Sequence, residues 1–100
     1  MAGPKIKVPR REITEFCQKN HITRLAFFGS VLHENFRPDS DIDVLVEFEA
    51  GHVPGLAFFS MQEELSIILG RQVDLCTPKF LSPYFREQVI QEARVQYARL

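Results

Sequence analysis

Two cysteines, no excess of either charge and no long apolar run set the first limits on this 100-residue chain. Cys17 and Cys76 stand far apart, each among apolar neighbours. They match neither the close spacing of a metal or redox motif nor the density of a disulfide framework. Both read as small core residues in a reducing compartment, which sets the expected location as the cytoplasm. Twelve basic and thirteen acidic residues leave a formal charge of -1, so no net field draws the chain toward nucleic acid or a membrane surface. The longest aliphatic run, Ile67 to Leu69, is far too short to span a bilayer, and the charged N-terminus lacks the apolar core of a signal sequence. Internal repeats, linkers and low-complexity segments are also missing.

What remains is enough apolar residue, 45%, for one small domain with a single core. Residues 1–9, with Lys5 and Lys7, read as a flexible N-terminal arm, and residues 10–100 as one domain. Pro9 suits the first turn of a helix in which Ile13, Phe16 and Cys17 recur at helical spacing up to about Asn20. Arg24 to Phe28 is short, β-rich and closed by Gly29, as a buried strand would be. Ser30 can cap a brief helix to about Asn35, and Pro38, Asp39 and Ser40 make a turn.

Asp41 to Glu49 is the clearest strand. Ile42, Val44, Val46 and Phe48 alternate with Asp41, Asp43, Leu45 and Glu47, so one face is apolar and the other carries both aspartates. A loop from Ala50 to Gly55 leads to a helix over Leu56 to Leu69. Its stripe is Phe58, Met61, Leu65, Ile68 and Leu69, with Gln62, Glu63 and Ser66 facing away; Phe59 also reads as core. Gly70 supplies a left-handed stop. Gln72 to Thr77 predicts a third strand, with Asp74 on the face opposite Val73 and Leu75. Ser82 and Pro83 open a last helix with Phe85, Val89, Ile90, Ala93 and Tyr97 on its apolar side. The order predicts an α/β (α+β) fold, a small mixed sheet with helices packed on it.

The chemistry is concentrated in five residues. Gly29 after a strand lets backbone approach a ligand, and Ser30 at a helix start leaves N–H groups for an anion; alone, the pair also describes an ordinary strand-to-helix turn. Asp41 and Asp43 lie roughly 7 Å apart on one strand face. If Asp74's strand is the neighbour, about 4.8 Å away, three carboxylates converge and repel one another until a divalent cation joins them. Two ions about 4 Å apart are what phosphoryl transfer uses to hold attacking and leaving oxygens. His21 and His52 lack partners at ligand spacing and read as turn residues, and Arg37 and Arg71 read equally as phosphate contacts or loop cations. Tyr84, Phe85 and Tyr97 fit either core or an apolar patch for another protein.

Gly29-Ser30, then Asp41-Ile42-Asp43, then Val73-Asp74-Leu75 resemble, in that order, the nucleotidyltransferase superfamily that includes DNA polymerase β. The likeness is strongest to its minimal branch, the MNT-domain proteins, and runs from Arg10 to Tyr97. It implies the polymerase β-like fold. It also implies that Asp41 and Asp43 hold Mg²⁺ and ATP, that Asp74 completes the catalytic metal site and helps activate the acceptor hydroxyl, and that Gly29 and Ser30 contact phosphate. MNT proteins of this size are antitoxin partners of helical HEPN toxins. The resemblance therefore implies transfer of AMP to a toxin hydroxyl, a tyrosine, within a type VII-like toxin-antitoxin module and a hetero-oligomer. Little chain follows the third strand, so the acceptor is expected from outside. The family's x-Ala-Arg-Gly after Gly-Ser is here Val31, Leu32, His33 and Glu34; His33 lacks the arginine's planar fork, and an inward Glu34 would oppose phosphate. Two other readings therefore stay open: a binding antitoxin that acts by occlusion with a weak or inactive site, and a transferase for a small molecule or an RNA end, the charge balance arguing against RNA.

Overall fold

The computed structural model describes residues 6–33, 36–37 and 39–99. Four strands, β1 (Ile22–Phe28), β2 (Ile42–Phe48), β3 (Val73–Cys76) and β4 (Arg94–Ala98), form one sheet in the order β3-β2-β1-β4. The β2–β3 pair is parallel and the other two are antiparallel, so the sheet is mixed. Helices α1 (Arg10–Lys19), α2 (Ala57–Leu69) and α3 (Arg86–Glu92) complete it. Among the described residues no helix is long and apolar enough to cross a membrane.

Period explains how the core assembles. Ile13, Phe16 and Cys17 on α1 and Met61 and Leu65 on α2 fall three and four residues apart, so each helix turns one stripe inward. On the sheet, Leu25 and Phe27 of β1 and Ile42, Val44 and Val46 of β2 lie at every second position and are fully buried in the same cluster. The alternation of β2 sends Asp43 and Glu47 to the opposite face, where both are half-buried. Ile6 and Val8 pack against the core, while residues 1–5 of the expected arm lie outside the described residues.

Three expectations need correction. The final helix is not one element: α3 is short and has no buried residue, and residues 94–98 pair as β4 against β1. Tyr97 continues the helical spacing of Val89, Ile90 and Ala93 and also alternates with Val95 as a strand would, and the choice is made by the open edge of β1, which only distant chain can fill. Ser82 and Pro83 precede α3 in a turn instead of opening it, with the Arg86 N–H donating to the Ser82 carbonyl at 2.9 Å. Second, Phe59 is 65% exposed. One step from Phe58 on the helix swings it about 100° off the inward stripe.

Third, Gln62 and Ser66 do not face away from the body. β3 is an edge strand, and its outward N–H groups need acceptors. The Leu75 N–H donates to Gln62 Oε1 at 2.9 Å and the Val73 N–H to Ser66 Oγ at 3.0 Å. Two α2 side chains thus close the edge with side-chain oxygens where a strand would use carbonyls. Gln62→Leu keeps the volume and removes the acceptor, leaving the Leu75 N–H without its partner. It is expected to cost about 1–3 kcal/mol, seen as a lower urea midpoint with an unchanged slope.

Candidate active site

The sheet ends where the site begins. β1 runs into Gly29 at φ +76°, the start of a 3₁₀ turn over Gly29–Leu32. Phe28 pairs with Asp43 across the antiparallel ladder, and Asp43 pairs with Asp74 across the parallel one. Gly29, Asp43 and Asp74 therefore sit side by side on three adjacent chain segments, held by register and not by loops. Asp41 comes one residue before β2 rather than within it, and is exposed, as is Asp74. Ser30 lies inside the turn instead of capping it; its carbonyl accepts from the His33 N–H at 2.9 Å. The turn is shorter than the expected helix, whose far end at Glu34 and Asn35 lies outside the described residues.

Gly29 could not be another residue without disturbing Asp43. A Cβ placed there would overlap Asp43 Oδ2 and come within 3.2 Å of its Cγ. The aspartate packs against the very backbone that turns.

Electrostatics mark the same spot. Burial, with the negative charges of Asp74 and then Asp41, pushes the Asp43 carboxyl up from 3.8 to about 6. The Cys76 thiol, on the same strand as Asp74, rises to about 12 by burial and the charges of Asp74 and Asp43, which makes it a poor nucleophile. Cys17, on the buried face of α1, rises equally by burial alone. Among the described residues no salt bridge involves Asp41, Asp43 or Asp74. Asp43 and Asp74, paired across the strands, with Asp41 close enough to raise Asp43, offer oxygen donors of the kind a hard cation such as Mg²⁺ takes, although among the described residues the three carboxylates do not gather within 4.8 Å of one another. A cation there would relieve the repulsion that raises Asp43.

The remaining sequence candidates divide. Arg71 is committed to structure: its guanidinium lies over the Phe36 ring, 4.2 Å from the centroid, and donates to the Arg37 carbonyl. The Ser40 N–H donates to the same carbonyl at 3.0 Å, so Arg71 steadies the turn that delivers Asp41. Arg37 and His33 are exposed. Sequence reasoning missed a cleft of about 440 Å³ on the other side of Asp74, walled by Phe48, Phe58, Phe59, Phe80 and Val53, with Lys79 at its edge. Phe58 meets Phe48 and Phe80 edge-on, at 6.4 and 5.8 Å between centroids. The available signal was the Phe58-Phe59 pair, read as core when only Phe58 turns inward.

Comparison with known proteins decides the family. The model of the nucleotidyltransferase domain matches residues 10–96. The chain belongs to that family. This nucleotidyltransferase is 32% identical to a Methanocaldococcus jannaschii chain described as a candidate protein adenylyltransferase, over 84% of its own length and 89% of the relative's. It is also 32% identical to the protein adenylyltransferase MntA of Thermococcus cleftensis, over 78% of each chain. Among solved structures, a toxin-antitoxin chain crystallised with AMP-PNP superposes with a TM-score of 0.73 at 22% identity, covering 91% of this chain and 74% of that one. A chain of the complex between the tri-AMPylated Shewanella oneidensis HEPN toxin and its MNT antitoxin gives 0.64 at 22% identity, covering 89% and 69%. The fold is that of the nucleotidyltransferases, and the protein is an enzyme of that class.

Proposed function

We propose that this nucleotidyltransferase moves AMP from ATP to a tyrosine hydroxyl of a HEPN-type toxin and thereby acts as its antitoxin. The observation that carries the reading is the register that sets Asp43 beside both Asp74 and the Gly29 turn. Relatives with 32% identity are named for protein adenylylation, which supports the same reaction class here.

In this reading Gly29 and Ser30 receive the triphosphate on the backbone of the 3₁₀ turn. Asp41 and Asp43 hold Mg²⁺, and Asp74 completes the site. When bound, Mg²⁺ supplies the positive charge that draws the triphosphate in and eases departure of pyrophosphate. Asp74, exposed at the sheet edge, accepts the hydroxyl proton as the acceptor oxygen attacks the α-phosphorus. One P–O bond forms to the acceptor, the bond to the bridging oxygen breaks, and pyrophosphate leaves. In this reading the aromatic cleft, which Asp74 helps to line, would take the acceptor's phenol ring with its hydroxyl toward the carboxylate.

The test is intact-mass and peptide mass spectrometry of a HEPN partner coexpressed with the chain. Added AMP on tyrosine is expected, and Phe80→Ala, at the 71% exposed wall of the cleft, should raise KM for the partner several-fold with little change in KM for ATP. Neutralisation of an unmodified partner would replace transfer by occlusion, the reading that His33 in place of the family arginine favours. Modification of a small molecule or an RNA end instead would move the acceptor out of the protein class.

A further inference from the structure

The two histidines that look unrelated in sequence meet at the far end of the β1–β2 hairpin, about 20 Å from Asp43 by strand rise. His21 precedes β1, while Glu49 and His52 follow β2. One ligand atom from each of the three lies within 4.8 Å of the other two. The imidazoles stack at 3.9 Å between centroids, 16° from parallel, and His21 Nδ1 is 3.5 Å from Glu49 Oε2. Tetrahedral coordination with bonds of about 2.0–2.1 Å would set neighbouring ligand atoms about 3.3 Å apart. The His21–Glu49 distance is already near that value, and rotation of the exposed His52 ring brings in the third ligand.

Backbone holds the group together. The Glu49 N–H donates to the His21 carbonyl at 2.8 Å, and the His52 N–H donates to the Glu49 carbonyl at 2.9 Å. His21 adopts φ 57°, an uncommon conformation for a residue with a side chain, and Gly51 at φ +83° turns the chain between Glu49 and His52. Arg99 donates to Glu49 Oε2 at 3.2 Å, and its own N–H is fixed to the Thr23 carbonyl at 2.8 Å. The Arg99 contact is an ion pair on the same oxygen that faces His21, so Glu49 would share its charge between the guanidinium and a bound cation; ligating carboxylates are commonly hydrogen-bonded in this way.

We propose that His21, Glu49 and His52 bind one first-row divalent cation of the Zn²⁺ type, distinct from the Mg²⁺ of the aspartate site. Two imidazoles and a carboxylate suit zinc, with water in the fourth position, and suit Mg²⁺ poorly. The ion would tie the loop that carries Val53 and Pro54 into the aromatic cleft to the start of β1.

The experiment is titration of tag-free protein with Zn²⁺ against a chromophoric chelator, with Mg²⁺ in large excess to occupy the aspartates. One zinc per chain with a dissociation constant in the micromolar range is expected, together with a rise in Tm. His52→Ala, in an exposed loop, and His21→Asn, which keeps a residue tolerant of positive φ, should each weaken zinc at least 10-fold while the zinc-free Tm of His52→Ala stays within about 2 °C of wild type. Asp43→Asn should leave zinc affinity unchanged. Absence of binding at about 100 μM Zn²⁺, undiminished binding in His52→Ala, or its loss in Asp43→Asn would each overturn the assignment, and none bears on AMP transfer.

Discussion

Asp43→Asn is expected to remove AMP transfer to the partner, by on the order of 10³-fold or more, while making the metal-free protein more stable at neutral pH. Both effects come from one carboxylate. In the native state Asp43 titrates near 6 against an ordinary value of 3.8, raised by burial and by the charges of Asp74 and Asp41. Between those values the folded chain binds more protons than the unfolded one, so stability falls as pH rises through the interval. The penalty is complete above about pH 6 and absent below 3.8. Because the group is half-buried, solvent screening reduces it to about 1 kcal/mol. Urea titrations in the presence of chelator should therefore show the asparagine variant ahead at pH 8, with the difference closing toward pH 4. A parallel pH dependence in the two proteins would mean that Asp43 is not the group under strain. Mg²⁺ should reverse the order at pH 8, since only the wild type retains the carboxylate that the cation needs.

Gly29→Ala carries the second large effect, and here two causes can be separated. The φ of +76° is strained for any residue with a Cβ, and the added methyl would also overlap the Asp43 carboxylate. Gly51 has a φ of +83° with open space around it. Gly51→Ala thus measures the conformational cost alone, about 1 kcal/mol, with transfer intact. Gly29→Ala should add displacement of Asp43 from register. Misplacing a reacting group by about 1 Å costs around 10²-fold in rate, so kcat should fall by that order or more. Equal losses of stability in the two variants, with activity kept in both, would remove the packing of Gly29 on Asp43 from the mechanism.

The central strand was legible because two signals agree in it. Ile42, Val44 and Val46 alternate with Asp43 and Glu47, and the buried face in the structure is the apolar one. The same alternation put Asp43 and Asp74 off the apolar faces, though not in register; that depends on pairing between residues thirty-one positions apart. β4 was hidden for a related reason. Tyr97 serves either the helical stripe of Val89, Ile90 and Ala93 or a strand with Val95, and the unpaired edge of β1 that selects the strand is far away in sequence. Gln62 and Ser66 were misread because polarity on a helix suggests solvent, whereas here it meets the donors of an edge strand. His21 and His52 lie thirty-one positions apart, and only the pairing of Ile22 with Phe48 makes them neighbours.

The most direct test of the account follows the phosphorus. Two parallel reactions with the HEPN partner use ATP labelled at the α or at the γ position. Transfer of AMP predicts label on the partner from α-labelled ATP alone, with one pyrophosphate released per label incorporated and neither product formed by Asp43→Asn. Label arriving from the γ position, or a partner silenced with no label at all, would contradict it.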